Sequence, residues 1–138
     1  MTKFRKLNDG WNAEPNAPDP RVTVQGRDVV VSFLMNSFRF PQFSPADVGK
    51  LRFLYCHRYR LGVTNDEGWY RGQCRFSVTA PRWGEFYEVE GDLRLEECPK
   101  DWLQVGSVQV GSRHFLFYFR DATFECDALD WNFEVLRS

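Results

Sequence analysis

Residues 51–78 read LRFLYCHRYRLGVTNDEGWYRGQCRFSV, and their alternation decides the fold class. Side chains of an extended chain point to opposite faces with a period of two. The first limb therefore sets Leu51, Phe53, Tyr55, His57, Tyr59 and Leu61 on one face and Arg52, Leu54, Cys56, Arg58 and Arg60 on the other. A second limb sets Tyr70, Gly72, Cys74, Phe76 and Val78 against Trp69, Arg71, Gln73, Arg75 and Ser77. Residues 64–67 are the turn between them, because Asn65 and Asp66 tolerate left-handed backbone angles and Gly68 follows. A one-residue slip would exchange the faces of a whole limb. The predicted hairpin therefore pairs Leu61 with Tyr70, Tyr59 with Gly72, His57 with Cys74 and Tyr55 with Phe76.

This register gathers Arg58, Arg60, Arg71 and Arg75 on the outer face, where like charges directly opposite destabilise a sheet unless they are answered. The answer offered by the sequence is EFYEVEGD at residues 85–92, whose Glu88 and Glu90 would meet Arg71 and Arg75. A solvated charge ladder worth little per pair is the favoured reading. An anion site on an arginine fork is the functional alternative.

A chain of 138 residues is long enough to hold a core without staples. Its 18 basic and 19 acidic residues lack the basic excess of a dedicated nucleic-acid binder, so no nucleic-acid partner is expected. Aromatic residues make up 17%, and in a β protein such rings fill the core first and line a binding face second. No apolar run is long enough for a signal-peptide core or a membrane span, so a cytoplasmic protein without a membrane partner is expected. Cys56, Cys74, Cys98 and Cys126 show neither CxxC pairing nor metal-ligand spacing, which suits free thiols in a reducing compartment. Cys56, beside the arginines, is the candidate for reactivity.

The remaining chain reads as further strands. Residues 1–20 are rich in Asn, Gly and Pro and form an irregular arm pinned by Trp11, ahead of a single β domain at 21–138. Residues 21–25 are a strand, Gly26 and Arg27 turn, and DVVVSFLMN at 28–36 is a central strand buried on both faces. SFRFPQF at 37–43 alternates until Pro41 stops it. Residues 44–49 read as one short helical turn with Ser44 as cap, Pro45 at the first helical position and Gly49 at its end. In the last third a fold at Asp121 and Ala122 pairs Phe119 with Phe124 and Phe117 with Cys126 on the core side. The opposite face then sets Tyr118 near Glu125, and His114 and Leu116 near Asp127. Trp131, Phe133 and Val135 close the sheet. The predicted fold is all-β and mainly antiparallel, a sandwich or partly closed barrel of about eight strands.

His114, Tyr118, Glu125 and Asp127 are the candidate catalytic group, since a histidine beside two carboxylates suits acid–base work or a divalent metal. Alternate residues on a strand stand about 7 Å apart, which opposes convergence of the two carboxylates. Residues 65–67 lack the acidic spacing of a calcium loop, and phosphate loops and hydrolase elbows are absent, so no metal or cofactor is expected. The favoured function is a non-catalytic protein-binding module of adaptor or immunity type. Its candidate binding residues are Arg58, Arg60, Trp69, Tyr70, Arg71, Arg75, Trp83 and Glu88. One alternative is a small-molecule or carbohydrate binder stacking on Trp69, Tyr70 and Trp83. The other is a hydrolase or metal-dependent enzyme built on His114, Glu125 and Asp127.

Overall fold

The limb at residues 51–61 is two strands, and the break between them generates the architecture. The computed structural model describes residues 3–62, 84–91, 101–120 and 122–137. Within them ten strands form two antiparallel sheets. The six-stranded sheet holds, in spatial order, β1 (Lys3–Lys6), β6 (Phe86–Glu90), β8 (Arg113–Tyr118), β9 (Thr123–Ala128), β5 (Arg58–Gly62) and β7 (Leu103–Gln104). The four-stranded sheet holds β10 (Asp130–Leu136), β4 (Val48–Leu54), β3 (Asp28–Leu34) and β2 (Arg21–Gln25). Their inner faces share one apolar core, so the all-β fold is a sandwich rather than a closed barrel. No helix long and apolar enough to cross a membrane occurs among the described residues.

At the break Tyr55 takes a left-handed φ of 50°. Its N–H donates to Asp28 Oδ1 at 3.2 Å, the Cys56 N–H to the Arg27 carbonyl at 2.8 Å, and the His57 N–H to the Asp127 carbonyl at 2.8 Å. Within three residues the backbone has moved from the β2–β3 turn to β9. Leu51 and Phe53 fill the core from one sheet and Tyr59 packs on it from the other, while Tyr55 is left half-exposed at the corner. Alternation has the same period on both sides of the corner, which is why the sequence reads as one strand. The expected second limb lies outside the described residues, and β5 takes β9 and β7 as neighbours.

The strand at Arg21–Gln25 and the turn at Gly26 and Arg27 fall where the sequence sets them. Strand β3 lies between β2 and β4, with Val29, Val30 and Val31 all buried. Three expectations are corrected. Residues 44–49 form no helical turn: Asp47 N–H donates to the Ser44 carbonyl at 3.0 Å, its carboxylate accepts from Ser44 N–H at 2.9 Å, and this β-turn leads into β4 at Val48. Gly49 sits within that strand, where a Cβ would come within 2.6 Å of Met35 Sδ and 2.8 Å of the Phe33 ring. Residues 37–43 turn instead of alternating, and Phe38 is exposed. The β8–β9 hairpin keeps its predicted faces but slips by two residues, pairing Phe117 with Phe124 and Phe115 with Cys126.

The arm is built into both layers. Lys3–Lys6 pairs with β6, an edge strand that the polar sequence does not announce. Asn8 fixes the next step, donating to the Trp11 carbonyl at 2.8 Å and accepting from Phe86 N–H at 3.0 Å. Trp11 is thereby delivered into the core, stacked on Phe133 with centroids 3.9 Å apart and 6.0 Å from Phe33. Truncating a buried large aromatic removes about 3–5 kcal/mol. Trp11→Ala is accordingly expected to lower the urea midpoint by that equivalent at an unchanged m-value; a loss below about 1 kcal/mol would show that the core stands without the arm.

Candidate functional site

Pairing on the outer face of the six-stranded sheet brings three of the four candidate catalytic residues together. His114 lies directly across from Asp127, and Glu125 stands two residues along β9. The strand rise keeps the two carboxylates apart, and the imidazole spans the gap. His114 Nδ1 is 2.7 Å from Asp127 Oδ1 and Nε2 is 2.7 Å from Glu125 Oε1. With both carboxylates ionised, and therefore only accepting, both ring nitrogens carry hydrogen and the ring is an imidazolium. Tyr118 shares the buried face but lies opposite Thr123, farther along the hairpin.

Strand β5 supplies the outer partners, because Arg58 faces Asp127 and Arg60 faces Glu125 across the ladder. Arg58 Nε donates to Asp127 Oδ2 at 2.7 Å and Arg60 Nη1 to Glu125 Oε2 at 2.8 Å. Arg60 also grips Asp101 with two bonds, Nε to Oδ1 at 2.7 Å and Nη2 to Oδ2 at 3.1 Å. The charges alternate along the sequence Arg58, Asp127, His114, Glu125, Arg60, Asp101. Among the described residues three cations meet three anions, and His114 and Glu125 in the middle are buried. Trp102 closes the chain from the side, its ring edge-on to His114 at 6.0 Å and beneath the Arg58 guanidinium at 4.1 Å.

This surrounding sets the titration. Burial disfavours a charged His114, but the hydrogen bonds and charges of Asp127 and Glu125 more than offset it, and its pKa is raised. Burial likewise opposes ionisation of Asp127, and the bonds and charges of His114 and Arg58 overcome it, so its pKa is lowered. Asp101 is lowered chiefly by its bonds from Arg60. A doubly bonded imidazolium has no lone pair for a proton or a cation. The arrangement therefore works as a charged fastening of β8, β9 and β5. No group of three or more His, Cys, Asp or Glu side chains among the described residues is placed to hold a metal ion.

Of the candidate binding residues, Arg58 and Arg60 belong to this ladder. Glu88 is on the opposite face of the sheet, at the rim of the sandwich. There Arg113 holds it with bonds of 3.0 and 2.7 Å, Arg5 joins from β1, and Arg113 reaches Asp130 of the other sheet at 3.1 Å. The Arg113 bonds are the largest influence on Glu88 and hold its pKa low. Trp69, Tyr70, Arg71, Arg75 and Trp83 lie outside the described residues. Cys56 is buried, with its thiol donating to the Arg58 carbonyl at 3.3 Å, and burial pushes the neighbouring Cys126 thiol well up. Neither has the electropositive, accessible setting of a reactive cysteine.

Sequence reasoning missed the cleft at the Arg58 end of the ladder. An open hollow of about 470 Å³ is lined by His57, Arg58, Gln109, Ser112, His114 and Asp127, among others. Its wall is the loop of residues 105–112, tied back by the Val105 N–H to the His57 carbonyl at 2.8 Å. No protein family, curated protein or solved structure matches the chain.

A group whose pKa rises on folding stabilises the fold fully below its unfolded value, near pH 6.5 for histidine, and loses that contribution as pH climbs through the folded value. The urea midpoint is therefore expected to fall as pH rises from about 6.5, and His114→Gln should flatten that limb. Identical pH profiles for the two proteins would show that the bridging ring is uncharged.

Proposed function

We propose that the protein is a non-catalytic cytosolic binding module that docks a partner protein on the loop of residues 105–112 and its surroundings. One observation carries this reading: Val108 is 69% exposed and Val110 fully so, with exposed Leu103 just before them in the chain. Tyr55, half-exposed at the corner, shares a small hollow with Gly106, Ser107 and Gln109 of the same loop. Single exposed apolar side chains are ordinary, whereas several gathered at one place mark an interaction surface. Arg58 shares the adjoining cleft with Val108 and stacks on Trp102, and these residue types anchor interfaces. The unpaired thiols of Cys56 and Cys126 support the cytosolic assignment. Adaptor and immunity-type roles belong to this class. The catalytic alternative lacks support from His114, whose two nitrogens are both engaged.

Photo-cross-linking in the source cell tests the docking face. A benzophenone side chain at position 110 is expected to capture one discrete partner, and the same probe at exposed Asn132 on β10 none. The Val108→Ser, Val110→Ser double variant should weaken purified partner binding by about tenfold or more, about 1.4 kcal/mol. Equal capture from both positions, or from neither, would overturn the reading.

A further inference from the structure

We infer that the cleft beside the loop receives a single carboxylate, carried by an acidic side chain of the docked partner, with Arg58 as its ligand. This rests on the docking reading and specifies what the docked segment presents. Arg58 engages Asp127 through Nε, and its two terminal nitrogens have no hydrogen-bond partner among the described residues. A guanidinium offers five N–H donors in one plane, so four remain. Stacking of Arg58 on Trp102 at 4.1 Å fixes that plane and leaves the fork's edge as the recognition element. Such an edge matches the two oxygens of a carboxylate.

His57 holds the wall of the cleft in place. Its Nδ1 is 2.9 Å from the Gly106 carbonyl, which only accepts, so Nδ1 carries the hydrogen. In the neutral ring this leaves Nε2 an acceptor, so His57 anchors the loop and the donors facing a carboxylate come from Arg58. Ser112 brings a hydroxyl to the wall.

Charge selects the ligand. Among the described residues the ionised groups lining the cleft are Arg58, His114 and Asp127, and both Asp127 oxygens are already taken by the two cations. The lining thus carries one positive charge in excess. Glu125, Arg60 and Asp101 balance the ladder from positions that do not line the cleft. One excess charge answers a monoanion, whereas a phosphate dianion brings one charge too many. Val108 at the cleft wall favours an acidic residue with aliphatic neighbours.

The test is an NMR titration of the full chain with sodium acetate at constant ionic strength, following Arg58 Nε and the Ser112 amide. Saturable shifts at these groups are expected, with no response to acetamide and a weaker one to inorganic phosphate. Arg58 itself is a poor position to vary, because its loss would strip Asp127 of a partner. Ser112→Glu instead places a carboxylate on the wall without touching the ladder; it should weaken acetate by about tenfold or more, while Ser112→Gln retains most of the response. Acetate shifts that never saturate, or that survive Ser112→Glu, would overturn the carboxylate assignment, and a stronger response to phosphate would overturn the monoanion assignment. Saturation by acetate without cross-linking from position 110 would refute the docking reading alone. Cross-linking without saturation would refute the inference alone.

Discussion

The exchange of backbone partners at Tyr55, Cys56 and His57 is the constraint from which both layers follow. One short covalent stretch supplies an interior strand to each sheet, so neither sheet can form its own pairing without fixing the other. A left-handed non-glycine residue costs roughly 1–2 kcal/mol. Asp28 holds it in place from two directions, accepting from Tyr55 N–H with one oxygen and from Arg52 at 3.1 Å with the other. The corner also sets the functional geography. It turns His57 toward the loop and places Arg58 and Arg60 on the outer face beside β9.

The charge ladder has a role that apolar packing cannot fill. Sliding β8 against β9 by two residues preserves both faces, so the hydrophobic pattern is blind to it. His114 bridges Asp127 and Glu125 only in the observed register, with Arg58 and Arg60 opposite the same two carboxylates. Buried ion pairs are weak contributors to net stability, but breaking one leaves an uncompensated charge at several kcal/mol. The ladder therefore penalises the slipped register more than it deepens the correct one. Arg113 acts similarly at the rim, where it joins Glu88 of one sheet to Asp130 of the other.

What the sequence makes legible divides along the same line. Faces are local, and Val29, Val31, Leu51, Phe53, Phe117 and Phe124 lie in the core as alternation requires. Register beyond a single residue is not local, which is why the final hairpin reads two residues out. Corners are hidden when the alternation continues through them, as at Tyr55. The helical turn fails because Asp47 closes a β-turn on Ser44 and Gly49 is needed where Met35 and Phe33 approach. The grouping of His114 with Glu125 and Asp127 is legible, but its meaning depends on Arg58 and Arg60, which the sequence assigns to a different partner strand. Asp101, Trp102 and the loop of residues 105–112 reach the site only through tertiary packing.

The order of the strands has a kinetic consequence. β2–β3 and β8–β9 are joined by short turns and close small loops. Three of the remaining pairings join parts of the chain far apart in sequence: β4 with β10, β5 with β9, and β1 with β6. Closing such loops loses chain entropy before any contact repays it, which places sandwiches of this kind in the millisecond-to-second range. Trp11 and Phe133 come from distant parts of the chain and stack against each other. Formation of that stack reports the late, long-range closure of the core.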